Sequence, residues 1–289
     1  MVERNERGAW AAKRRGFCQG FRLLSARILL TAYLGLCGLG AGPARAETDR
    51  LDPSVQQLIV GLAPTWNSLH GRLWRLEKQQ GTWSQAGGPV PVLFGKHGLA
   101  WGRGELVGGG GASTKVERDG RAPAGVFRLG TIYTYDGALP AGATYPFHTV
   151  GPGDAWVDDV NNPDYNRHVV VNPAQPPPWF ARQRMRQGDF AYRWLLEIRH
   201  NADPPVPGFG SAIFFHIRRG PDRPSAGCTT MAEKDLISLI CWLRAEANPR
   251  YACLPEEAYR HYWRTWGLPD PAVLGFSAAN RKKIAVVGS

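Results

Sequence analysis

Between residues 73 and 217 apolar and polar positions alternate over short stretches, and each stretch is bounded by glycine, proline or other turn residues. Leu73 to Glu77, Gly81 to Trp83, Val90 to Phe94 and Gly95 to Trp101 read as successive strands, followed by Ala124 to Gly130, Tyr192 to Ile198 and Ala212 to Ile217. Asp136 to Gly142 has turn chemistry, and residues 172 to 190 form a connection around Pro176, Pro177 and Pro178, with Arg182, Arg184 and Arg186 beyond it. The run of four glycines from Gly108 to Gly111 reads as a flexible loop, because no Lys-Ser/Thr ending and no helical period follow it. The spacing changes only after Thr230. Leu236, Leu239, Ile240 and Leu243 recur at i, i+3, i+4 and i+7, which predicts one principal helix, and Thr230 with Glu233 has capping-box spacing for its start. The pattern is that of a mainly β fold, and 35 Gly with 23 Pro among 289 residues support it.

The first 46 residues follow a different pattern. Seven Lys or Arg lie between residues 4 and 27, an apolar run from Ile28 to Gly40 follows, and Ala44 and Ala46 form an A-x-A site. This is the pattern of a secretory signal peptide cleaved after Ala46; an uncleaved signal anchor is the alternative it also admits. The division expected is a signal at 1–46, a lead-in at 47–69, a main domain at 70–268 and a tail at 269–289, with the mature chain in the periplasm or cell envelope and no membrane attachment once the signal is removed.

Charge and cysteine counts change once that segment is set aside. The net charge is +11 over the full chain, but residues 1–46 hold eight of the 35 basic and two of the 24 acidic residues, leaving 27 against 22, or about +5. The cationic excess is largely in the leader, so nucleic-acid binding is the weakest function class. Cys18 and Cys37 belong to the leader, and Cys228, Cys241 and Cys253 remain. Their spacing lacks the paired ligands of a zinc site. Cys241 and Cys253 are read as a structural disulfide, which leaves Cys228 as a free thiol.

The chemistry lies between Phe214 and Thr230. His216 ends a strand, an Arg/Pro/Gly loop follows, and Cys228 stands just before the predicted helix, where helix-start amides would favour the thiolate. Gly227 permits a tight turn that would aim the local amides at an oxyanion. Cys228 is therefore the candidate nucleophile and His216 the general base and acid of an acyl transfer.

At these residues the sequence resembles the YkuD-type L,D-transpeptidases, whose signature is a His, a variable loop, then Ser/Thr-His-Gly-Cys; here it stands as His216 and Ser225-Ala226-Gly227-Cys228-Thr229-Thr230. Gly95 to Trp101, Lys115 to Phe127, Trp156 to Asp159, and Tyr165 with Asn166 extend the likeness to the compact, single-domain branch, over roughly residues 70 to 245. Ala226 replaces the usual His, Thr230 stands where Arg or Asn is common, and the His-to-Ser loop is short. The resemblance implies a β-sandwich-like domain with a helix behind the cysteine. It implies attack of Cys228 on an L,D-peptide bond of a peptidoglycan stem peptide, with an amine or water as acceptor and no metal or organic cofactor. Ser225, Gly227 and Thr229 are expected to shape the site. Arg218, Arg219 and Arg223 are candidates for substrate carboxylates, with Arg218 and Arg223 preferred, and of the polar residues Asp158, Asp159, Tyr165 and Asn166, Asp159 and Tyr165 are expected near it. A non-catalytic wall-binding module is the rival from another class.

Overall fold

In the computed structural model residues 49–275 are described, so the expected signal peptide at 1–46 and the end of the tail lie outside the described residues. In chain order the strands are β1 (Gln57–Ala63), β2 (His70–Gln79), β3 (Thr82–Gln85), β4 (Val90–Leu93), β5 (Leu99–Trp101), β6 (Ala122–Thr134), β7 (Phe147–Thr149), β8 (Asp154–Trp156) and β9 (His168–Val170). A short helix α1 (Phe180–Gln183) precedes β10 (Trp194–Ile198), β11 (Phe214–Ile217) and β12 (Thr229–Met231), and α2 (Glu233–Trp242), β13 (Arg250–Pro255) and α3 (Glu256–Trp266) follow. The fold is mainly β. Eleven strands share one sheet in the order β1-β13-β6-β10-β11-β12-β4-β2-β3, with β5 and β7 added along β6. Because β1 also pairs with β2, the path closes on itself, and the layers expected of a sandwich are joined by hydrogen bonds into one ring.

Two strands that show no alternation sit at the centre of this sheet. Every residue of β1 and of β13 is buried, and the two run parallel with Leu58 opposite Arg250 and Leu62 opposite Leu254. A strand buried on both faces needs apolar residues throughout, so alternation does not mark it. The segment expected as a lead-in thus contributes a central strand, and the sheet begins well before residue 70.

Helix α2 is the predicted helix, with Leu236, Leu239 and Ile240 buried. Its start differs from the expectation: Ala232 occupies the N-cap without a side-chain bond, and Thr230 lies in β12 with its hydroxyl on the Leu93 carbonyl. Helix α3 is a second full helix. It buries Ala258, Tyr259 and Trp266 against the core and ends at Gly267, whose φ of 68° terminates the helix in the left-handed region. No helix among the described residues is long and apolar enough to cross a membrane.

The expected Cys241–Cys253 disulfide is not formed; both thiols are free. Cys253 lies in β13 opposite Gly61 and Gly125, fully buried in the core, whereas Cys241 sits in the last turn of α2 with its sulfur toward the Ala141 carbonyl. A helix end facing a surface turn and a strand in the sheet interior do not present their sulfurs to one another.

Candidate active site

β11 and β12 run parallel with Phe215 opposite Thr229 and His216 opposite Thr230. This register places Cys228, one residue before β12, beside Phe214, whose amide donates to Cys228 Sγ at 3.4 Å. Alternate residues of a strand share a face, so Phe214, His216, Cys228 and Thr230 project to one side, and Phe215, Ile217, Thr229 and Met231 to the other. The second set enters the core, where Thr229 Oγ1 meets the Tyr251 hydroxyl at 3.0 Å. On the first side a cavity of about 400 Å3 is lined by Cys228, His216 and Thr230 together with Lys115, Glu117, Asp158, Tyr192, Arg219 and Arg223. Thr229, expected at the site, is therefore a core residue.

Cys228 is not at a helix start. β12 and Ala232 intervene before α2, so no helix dipole reaches the sulfur. Cys228 keeps part of its surface open to the cavity, yet burial pushes its thiol up to about 11, with partial relief from the Phe214 amide and the Lys115 ammonium. The thiol proton points to the Ala212 carbonyl at 3.5 Å. Ala212 itself holds a φ of 55°, unusual for a residue with a Cβ, and its amide donates to Asn166 Oδ1 at 3.0 Å. Asn166 in turn donates to the carbonyls of His200 and Asn201 and accepts from Trp156 Nε1, so one buried amide sets the backbone that faces the thiol.

His216 is buried, and burial lowers its imidazole to about 4, opposed by the Ile217 and Ala191 carbonyls. Nδ1 lies 2.9 Å from the Ile217 carbonyl oxygen; a carbonyl only accepts, so Nδ1 carries the proton and Nε2 is the basic nitrogen. The Tyr192 ring packs edge-on against the imidazole at 5.2 Å. Thiol and imidazole are thus both neutral at rest. Burial favours the neutral form of both groups in the empty cavity.

The turn between them is fixed by Ser225. Its hydroxyl donates to the Cys228 carbonyl at 2.6 Å and accepts from the Gly227 amide at 3.0 Å. The Gly227 N–H is consequently committed to the turn, and the expected oxyanion role for it does not hold. Gly227 is required for another reason: its φ is 153°, and a Cβ there would lie 2.9 Å from the Arg121 carbonyl.

A thiol and an imidazole lie on one face of paired strands and open on a cavity with two carboxylates and several cations, an arrangement whose residue types suit nucleophilic chemistry. Residues 70–249 match the family described as the YkuD L,D-transpeptidase catalytic domain, a span that runs from the start of β2 to the start of β13. The chain belongs to that family. No curated protein and no solved structure gives a significant match. Cys228, His216 and Ser225 all lie within the matched span.

The remaining candidates divide. Arg223 lines the cavity, whereas Arg218 does not; its neighbour Arg219 does, held by Asp189 Oδ2 at 2.6 Å and packed over Phe190 and Tyr192. The chain has left β11 by residue 218, so strand alternation no longer decides which arginine faces inward. Asp159 caps a turn, accepting the Asn161 amide at 3.0 Å, and Asp158 lines the cavity instead, its carboxyl raised by burial and by Glu117. Tyr165 is buried behind the cavity wall, and its hydroxyl donates to Glu117, which also accepts from Ser211 Oγ at 2.9 Å. It positions a wall residue and does not face the cavity. The residues not singled out from the sequence are Glu117 and Lys115, the latter buried with its ammonium on Asp119 at 2.8 Å. Both lie in the Lys115 to Phe127 segment, but only the fold carries that segment to the cysteine.

Proposed function

We propose that the protein is a peptidoglycan L,D-transpeptidase that acts in the cell envelope after removal of residues 1–46. Substrate binding shields the site, His216 Nε2 takes the Cys228 proton, and the thiolate attacks the carbonyl of an L,D-peptide bond in a stem peptide. The C–N bond breaks, His216 returns the proton to the departing D-residue amine, and a thioester remains on Cys228. An amine of a neighbouring stem attacks the thioester, its proton passes to His216, and the thiol is restored. The Lys115 ammonium offsets negative charge at the sulfur. Arg219 and Arg223 suit stem-peptide carboxylates, and Glu117 and Asp158 suit the cationic amine of the acceptor.

The observation that carries this reading is that His216 on β11 and Cys228 just before β12 line one cavity. The test is incubation of the protein with defined tetrapeptide and pentapeptide muropeptides, with products identified by mass. Cross-linked dimers with release of the terminal D-residue are expected, and Cys228→Ala should abolish them while the protein stays folded. A carbapenem should add its mass to Cys228. Hydrolysed stems without dimers would assign the same site to a carboxypeptidase; equal binding of sacculi by wild type and Cys228→Ala, with no product of either kind, would mark a binding module.

A further inference from the structure

Away from the cysteine, three strands bring two imidazoles and a carboxylate to one point. His148 is on β7, Asp154 on β8 and His168 on β9. His148 Nε2 lies 2.6 Å from Asp154 Oδ1, and His168 Nε2 lies 2.5 Å from the same oxygen. All three candidate donor atoms fall within 4.8 Å of one another. The second carboxylate oxygen, Oδ2, accepts the Gly151 amide at 2.7 Å, which fixes the plane of the group. Both imidazole rings pack near the Tyr133 ring, with centroids at 4.8 Å for His168 and 5.9 Å for His148.

Charge is the second observation. The Asp154 side chain is only 5% exposed, and among the described residues its contacts are the two imidazoles and one amide, with no Lys or Arg. A buried carboxylate normally has a cationic partner or a metal. Each imidazole offers a nitrogen lone pair that a metal ion can use. We propose that His148 Nε2, Asp154 Oδ1 and His168 Nε2 bind one divalent transition-metal ion of the zinc class, with a water at the remaining position. The donor set selects the metal: imidazole nitrogens suit zinc and its neighbours, whereas calcium and magnesium take oxygen ligands. Tetrahedral ligands about 2.0 to 2.1 Å from the ion lie roughly 3.4 Å apart, so each Asp–His separation opens by under an ångström. His148, at 37% side-chain exposure, is free to give way. Each ring proton then resides on Nδ1, leaving Nε2 as the ligand. A cavity whose wall includes His168, Tyr133 and Trp156 provides entry.

The ion would reinforce a junction that strand pairing does not make. β8 and β9 form a two-stranded sheet of their own, while β7 pairs with β6 of the main sheet. A metal held by all three strands clips that hairpin to the sheet. Trp156 of β8 packs on Phe214 at 4.8 Å, and the Phe214 amide contacts the Cys228 sulfur, so the clip stiffens one wall beside the thiol. The site goes beyond the proposed reaction and does not rest on it.

Metal-stripped protein titrated with Co2+ should bind one equivalent, with the visible bands of a nitrogen and oxygen site and no thiolate charge-transfer band, and Zn2+ should displace it and raise the Tm. His148→Gln and His168→Gln should each weaken binding by at least roughly 10- to 100-fold, and Cys228→Ala should leave the affinity unchanged. His148→Gln alters the most exposed ligand and is the variant that keeps the fold. Absence of any Co2+ band or Zn2+-induced shift, an affinity unaffected by His148→Gln, or binding lost in Cys228→Ala would each overturn the proposal.

Discussion

At the scale of single residues the site is held neutral until it is used. The Cys228 thiol is raised to about 11 by burial, and the His216 imidazole is lowered to about 4 by the same cause. The rate of Cys228 alkylation by iodoacetamide should therefore climb with pH up to about 11 instead of levelling near the ordinary thiol value of about 8.5. A plateau at neutral pH in the free protein would mean a pre-formed ion pair. Ala212 gives a second test. Its φ of 55° costs roughly 1 kcal/mol, so Ala212→Gly should be tolerated in denaturant unfolding, whereas Ala212→Val, β-branched, should cost more than about 1 kcal/mol.

At the scale of elements, the loop from β11 to β12 is ordered by backbone demands. Gly227→Ala combines a positive φ with a contact at 2.9 Å to the Arg121 carbonyl, and a loss of about 2 kcal/mol or more in urea unfolding is expected. A variant as stable as wild type would show that the turn adapts. The link between α2 and β13 is non-covalent: peptide mapping of unreduced, denatured protein should find both Cys241 and Cys253 alkylated. Helix α3 closes the fold over β13, and Tyr259→Ala, which empties a fully buried site and removes a 2.8 Å bond to the Pro269 carbonyl, should cost about 3 to 5 kcal/mol.

At the scale of the whole molecule, two buried imidazoles set the acid limit. His216 titrates at about 4, and His200, enclosed between the Arg103 amide and the Phe209 carbonyl, at about 3, lowered by burial and by Lys115. In the unfolded chain both take up a proton near pH 6.5. Between that value and 3 to 4 the unfolded state holds more protons, so stability is full above about pH 6.5 and falls as the pH drops through the window. Each of the two groups forgoes roughly 3 to 5 kcal/mol, a large part of the stability of a typical domain. Urea midpoints at pH 7, 5 and 4 measure this; a flat profile would contradict buried neutral imidazoles.

The sequence alone determined what local chemistry can write. A strand that alternates, such as β2, the stripe of Leu236, Leu239 and Ile240 on α2, and the His216 and Cys228 spacing are all periodic or adjacent signals. Strands buried on both faces, β1 and β13, carry no alternation, and α3, which buries only Ala258, Tyr259 and Trp266, is not read as a helix from the sequence. Only the tertiary structure decided the rest. It turned Arg219 inward in place of Arg218, set Asp158 in the cavity in place of Asp159, drew Lys115 and Glu117 to the thiol from a hundred residues away, and gathered His148, Asp154 and His168. The physical reason is range: periodicity and turn preference act between neighbours in the chain, whereas burial, and with it every shifted proton in this site, depends on which distant strands come to lie side by side.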